Sequence, residues 1–293
     1  VGAARQPAAR ARERLDRLPR VGRDELRLVP VLRTLLSSSP SHVRDDRARL
    51  RNAAQWYASH DLSFAAVAAF WRSGEQARAD ELLASRGTRM IAQGDAASIV
   101  AFLTDPEVTR SREGGLAPGA RRTLGLALNH TGQAYAALGV LAPLVQEADR
   151  DGWDAGLAVR VAAVHFSQGE LPLARDILDR VAQHDLPDSG DGITWRAARA
   201  NVASMLGDDD LAQQLATTAL QLAHQSGAPG DLTAAHQAIA KTSSGSRKAA
   251  HLTMALTAAR ADGDAVSMAR ILGNQSYALL AAAQCEQAVT VSR

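Results

Sequence analysis

Ala200-Asn201-Val202-Ala203-Ser204-Met205-Leu206-Gly207-Asp208-Asp209-Asp210-Leu211-Ala212 carries the pattern on which the fold of this chain turns. A glycine separates two runs that read as helices; a small residue, Ala200, stands seven positions before it, and an alanine, Ala212, five after it. Small side chains on both sides of a tight turn let two antiparallel helices approach closely at one crossing. The unit recurs. Outward from this stretch the turn glycine appears at Gly94, Gly132, Gly169, Gly207 and Gly245, at steps of 38, 37, 38 and 38 residues, and one further step reaches Ala283. The alanine column reads Ala137, Ala174, Ala212, Ala250 and Ala288; the small column reads Gly125, Ala162, Ala200, Ala238 and Ser276. Second helices carry larger apolar groups eight, nine and twelve residues after the turn, as in Val140, Leu141 and Leu144 or Ile177, Leu178 and Val181. A sustained period of this length is the signature of stacked helical hairpins.

These columns resemble the tetratricopeptide repeat, whose usual period is about 34 residues. Here the interval is 37 to 38, with the extra residues falling between hairpins, as at His184 to Gly192. The resemblance implies an all-α chain: a right-handed superhelical solenoid of tetratricopeptide-like hairpins over residues 120–293, with the last hairpin truncated. Composition agrees with helix packing by alanine and leucine, since 46% of the 293 residues are hydrophobic and only 4% aromatic. Arginine outnumbers lysine 31 to 2, which reads as a coding bias.

Charge is unevenly spread. Residues 1–51 hold 13 arginines against 6 acids, and the remainder 20 basic residues against 25 acidic ones. A basic start can touch nucleic acid or acidic lipid, or simply dock on an acidic neighbouring domain. A single cysteine, Cys285, allows no internal disulfide and fits a reducing, cytoplasmic setting. No apolar run is long enough to span a membrane. Beginning at Val1 without methionine, the chain reads as a fragment of a larger protein.

Residues 1–41 read as the C-terminal end of a winged-helix-like module: a helix over Arg10 to Leu18, a small hairpin from Arg20-Val21 and Leu26 to Val29, and a helix over Val31 to Leu36. Junction helices are expected over 42–106, and 107–119, rich in glycine and proline, reads as a linker. Leu28-Val29-Pro30-Val31-Leu32-Arg33, Arg49 to Tyr57 and Gly74-Glu75-Gln76-Ala77-Arg78-Ala79-Asp80-Glu81-Leu82-Leu83 resemble the junction of the large ATP-dependent regulators of the LuxR family, typified by the maltose-regulon activator. In that family a superhelical sensor domain follows the junction. Val29 stands where the family has a histidine, and neither a Gly-x-x-x-x-Gly-Lys-(Ser/Thr) phosphate loop nor a C-terminal helix-turn-helix occurs in the sequence. The resemblance therefore implies a sensor and coupling region that binds a small-molecule effector or a protein partner and oligomerises on activation. ATP and DNA would be handled by other domains. A tetratricopeptide scaffold of another signalling protein, such as a kinase regulatory arm or an antibiotic-pathway regulator, is the alternative.

No catalytic constellation stands out. Eight histidines are scattered without metal-ligand spacing, and Asp208-Asp209-Asp210 suits the positive end of a helix dipole. Neither a metal nor a cofactor is expected. In tetratricopeptide-like arrays the first helix of each hairpin lines the inner groove, through positions six, three and two before the turn. Those positions supply Asn129 and His130, Phe166, Asn201 and Tyr277, with Arg122 projecting beside His130 as a partner for an anionic or carbonyl group. So mixed a surface suits a small ligand or peptide better than DNA, which demands a run of cations.

Overall fold

A computed structural model describes residues 43–112, 114–181, 186–281 and 285–292. The winged-helix-like reading of 1–41 lies outside these residues. The chain divides into two compact units, 1–49 and 50–293. Of the first unit only the opening turns of one helix are described, and the repeat hairpins all lie in the second.

Among the described residues the secondary structure is entirely helical. In chain order the helices are α1 (Val43–Ser59), α2 (Ser63–Ser73), α3 (Gln76–Ala92), α4 (Ala96–Leu103), α5 (Pro106–Arg110), α6 (Pro118–His130), α7 (Ala134–Asp151), α8 (Ala155–Ser167), α9 (Leu171–Leu178), α10 (Asp191–Met205), α11 (Asp209–Ser226), α12 (Pro229–Lys241), α13 (Gly245–Asp262), α14 (Ala265–Ala281) and α15 (Cys285–Ser292). They pair as hairpins: α2 with α3, α6 with α7, α8 with α9, α10 with α11, α12 with α13 and α14 with α15. From α7 onward each second helix packs on the first helix of the next hairpin, and the first helices α6, α8, α10 and α12 also pack on one another in order. This is the nearest-neighbour stacking of a repeat array.

The turn glycines do what the sequence asks of them. Gly132, Gly169 and Gly207 adopt φ of 77°, 78° and 84°, the left-handed region open to a residue without Cβ. The amide after each glycine donates back to a carbonyl five residues earlier, as Asp208 N does to Ala203 O at 2.9 Å. Ala137, Ala174 and Ala212 are fully buried at the crossings, and Gly125 admits the Leu141 side chain so closely that an added Cβ would lie 2.6 Å from its Cγ.

Two parts of the lattice differ from the sequence reading. The turn between α12 and α13 is centred on Ser243, not Gly245: α12 ends at Lys241 and α13 already begins at Gly245. The second-helix bond that joins Ala212 N to Asp208 O recurs there as Lys248 N to Ser244 O. Burial moves with it. In α13 the residues inside are Leu252, Ala255, Leu256 and Ala259, while Ala250 is exposed. Counted from their turns, Leu252, Ala255 and Ala259 match Ala216, Ala219 and Ala223 of α11. The physical reason is that the apolar face of α13, not the glycine, fixes which way the helix rolls. Gly74, with φ of 88°, is a full member of the lattice, since Ala79 and Leu83 after it are buried and α3 packs directly on α6. Helices α4 and α5 are then an insertion between the first two hairpins.

The stretch 107–119, read as a linker, is only partly irregular. Asp105 caps α5 by accepting from Glu107 N at 2.7 Å, Pro106 fits the first helical position, and Pro118 does the same for α6.

A substitution pair checks the register. Ala212→Trp should overpack its crossing and cost about 1–3 kcal/mol, whereas Ala250→Trp should melt with the parent because Ala250 faces solvent. Equal melting of the two variants would refute the register.

Candidate functional site

The first helices bring together part of the expected set and separate the rest. Asn129, at the end of α6, accepts a hydrogen bond through Oδ1 from the Ser167 hydroxyl of α8 at 2.9 Å. Next to Ser167, the half-buried Phe166 ring lies beneath the Lys241 ammonium of α12, with Nζ 5.1 Å from the ring centre. A cation over an aromatic face at that range is attracted by the ring quadrupole. His130, beside Asn129, is exposed but feels the charges of Arg270 and Asp264, at the start of α14. Loss of hydration where protein packs against part of the ring, then Arg270, holds its pKa below the ordinary histidine value, and Asp264 opposes them. Four hairpins thus contribute to one neighbourhood.

Arg122 is engaged elsewhere. It forms a two-pronged bond to Asp154, Nη1 to Oδ1 at 2.8 Å and Nη2 to Oδ2 at 2.5 Å, and the same carboxylate caps α8 by accepting from Leu157 N. Burial pushes the Asp154 carboxyl upward, but hydrogen bonds from Arg122 and Leu157 and the charges of Arg122 and Arg160 outweigh it and hold its pKa below the usual range. This guanidinium ties α6 to α8, so the expectation that it meets a ligand anion gives way to a structural role. Asn201 is half-buried with Oδ1 shut off from solvent and accepting no hydrogen bond from a described residue. Tyr277 is 76% exposed. No described contact joins either of them to the Asn129–Phe166 neighbourhood.

Two residues of this neighbourhood escaped the sequence reading, for different reasons. Lys241 stands two before the true turn at Ser243, the place that His130 and Ser167 hold before Gly132 and Gly169. Counting from Gly245 points instead to Ile239, Thr242 and Ser243. Arg270 had no signal, because the corresponding place in earlier hairpins carries Gly119, Gly156, Thr194 and Gly230. Its charge reaches His130, and α14 packs on α3, elements nearly the whole array apart in sequence.

Elsewhere, Arg112 lies buried where the α5–α6 connection meets α3, donating through Nη1 to Asp80 at 2.6 Å while its Nε and Nη2 meet no acceptor among the described residues. Among the described residues no group of three or more His, Cys, Asp or Glu side chains is arranged to hold a metal ion, and no helix is long and apolar enough to cross a membrane. No protein-family model matches the chain, and no curated protein is significantly similar to it.

Proposed function

We propose that this chain is a sensor and partner-interaction region of an ATP-dependent LuxR-type transcriptional regulator. In this reading the hairpins wind as a right-handed superhelix, and an effector or protein partner docks on the face formed by the first helices. The observation that carries it is the convergence of Asn129, His130, Phe166, Lys241 and Arg270 from hairpins far apart in sequence, a surface that no single hairpin possesses. The junction resemblance supports the family: within its Gly74 to Leu83 motif, Gly74 is a left-handed turn and Ala79 and Leu83 are buried. Nucleotide binding and DNA reading belong to other domains of such a regulator, and effector occupancy would be communicated to them through the helices at the junction.

The test has two parts. A phosphate loop upstream and a helix-turn-helix downstream in the parent gene are expected; a kinase catalytic domain upstream would favour a scaffold of another signalling class instead. Metabolites and the parent's other domains should then be screened by thermal shift against the chain and an Asn129→Ala, His130→Ala, Phe166→Ala triple variant. A bound ligand at one hundred times its Kd should add about 2.7 kcal/mol of stability to the parent. A partner that binds the triple variant as well as the parent refutes the face.

A further inference from the structure

We propose that the cleft at the start of α6 is a second binding site, which takes the carboxylate of a small monocarboxylic acid on the guanidinium of Arg112. It lies outside the first-helix face and goes beyond the function read from that face.

The cleft has a volume of about 620 Å³ between α3, the end of α5 and the start of α6, and Gln76, Asp80, Arg112, Leu116, Ala117 and Pro118 line it. That volume suits a small organic ligand. Its walls are held together: Gly119 leaves no room for a side chain against Ala84 of α3, and the Thr123 hydroxyl donates to Leu83 O at 2.8 Å.

The first observation is Arg112 itself. Its side chain is only 4% exposed, Nη1 donates to Asp80 Oδ1 at 2.6 Å, and Nε and Nη2 are buried without an acceptor among the described residues. These two nitrogens form one edge of the planar guanidinium, a fork that matches the two oxygens of a carboxylate. The same edge of Arg199 does that for Asp179, Nε to Oδ1 at 2.7 Å and Nη2 to Oδ2 at 3.3 Å. An exposed arginine without a carboxylate is served by water and marks nothing. Arg112 differs by burial, since no other described arginine has two guanidinium nitrogens shut off from solvent and unpartnered. A buried donor left unmade costs more than an ordinary hydrogen bond contributes, so an acceptor at this edge is strongly favoured. Turning the edge to the cleft breaks no described bond, because neither nitrogen has one to give up.

The second observation is the helix. α6 is 13 residues long and starts with Ala117 at the cap, where no side chain bonds its amides, and Pro118 in the first turn. Its first backbone bond runs from Arg121 N to Ala117 O at 2.9 Å, so the amides of Gly119 and Ala120 precede the ladder. Helices α8 and α11, by contrast, are capped by Asp154 and Asp208. The positive end of the α6 dipole therefore favours an anion at the cleft.

Charge and shape select a monocarboxylate. Asp80 stands on the same wall and opposes a doubly charged ligand. Arg121, whose Nε donates to Leu116 O at 2.9 Å, adds one positive charge against the same turn. Leu116, Ala117 and Pro118 offer an apolar rim for a short uncharged tail.

The Nε–H group of Arg112 reports directly on the site. In 15N-labelled protein its Nε–Hε signal is assigned by its loss in Arg112→Lys, and the sodium salts of butyrate, acetate, phosphate and chloride are titrated at matched ionic strength. Butyrate is expected to move the signal saturably and acetate more weakly, while phosphate and chloride leave it in place. Arg112→Lys keeps the charge but loses the fork, and butyrate binding by calorimetry should weaken at least tenfold. Ala117→Asp supplies a cap to α6 and puts a negative charge at the cleft. Its melting temperature should hold or rise while butyrate binding falls at least tenfold, which separates loss of the site from loss of the fold. Glu113→Gln, which removes the carboxylate next in sequence, should bind butyrate as the parent does. Binding seen only in Glu113→Gln overturns the site, because the chain would then supply its own acceptor. A signal that answers butyrate no more than chloride, a stronger response to phosphate than to butyrate, or unchanged binding in both Arg112→Lys and Ala117→Asp overturns it as well. The Asn129, His130, Phe166 triple variant should bind butyrate at parental strength, so failure of this site leaves the first-helix reading standing.

Discussion

Leu141→Ala is expected to lower the unfolding free energy by about 2–5 kcal/mol. Leu141 is fully buried in α7, where it lies against the Gly125 backbone of α6 and packs with Leu144, Ala148, Leu157 and Val161. On the α6 side it meets the Gly125 backbone, which has no side chain to swing into the void. The cavity would persist, and the cost should fall toward the upper part of that range. Because each hairpin is stabilised mainly by its neighbours, the loss should also uncouple α2–α3 from the later hairpins, broadening the urea transition measured by circular dichroism. An unfolding curve that superimposes on the parent's would show that the α6–α7 crossing contributes little.

Stability should also fall as pH drops from about 6.5 to about 4, by about 2–3 kcal/mol from one ring. His236 of α12 is only 6% exposed, with its Nδ1 3.0 Å from Nδ1 of His251 in α13 and its ring 5.9 Å from that of His224 in α11. Burial, then the charges of His251 and His224, depress its pKa to about 4. The sign is set by which state takes the proton first. An unfolded chain protonates this imidazole near its ordinary value of 6.5, while the folded chain holds it neutral until about 4, so acid favours unfolding throughout that window. His251, lowered by its own burial and by Arg247, acts in the same direction. Asp154, held below its ordinary 3.8, adds its loss only at still lower pH, as its tie to Arg122 is protonated. Urea unfolding at intervals from pH 7 to 4 checks this, with His236→Gln expected to flatten the slope. A slope identical in parent and variant would exclude His236 as its source.

His236 also shows how the register slip matters. Counted from Ser243 it occupies the position that Gly125, Ala162 and Ala200 hold before their turns, so a large polar ring replaces a small residue at a crossing. The His236–His251 hydrogen bond is the local solution. With the turn placed at Gly245 the small column reads Ala238, and the misfit disappears from view.

The hairpins themselves were legible in the sequence because each depends on residues within one period. A left-handed glycine, a buried alanine five residues on and apolar groups at helical spacing are short-range requirements, and Gly132, Ala137, Leu141 and Leu144 meet them without reference to the rest of the chain. Where one local signal was displaced, as at Gly245, the apolar face of α13 overrode it, since several buried side chains outweigh one permissive backbone position. The candidate site was legible only as far as Asn129, His130 and Phe166. Tertiary structure decided that Arg122 is consumed by Asp154, that Lys241 lies on Phe166, and that Arg270 acts on His130 across the array. Those pairings depend on which helices of different hairpins pack together, and α14 packs on α3 from the far end of the array. A repeating sequence specifies each hairpin, but which distant side chains meet is set by the tertiary packing between them.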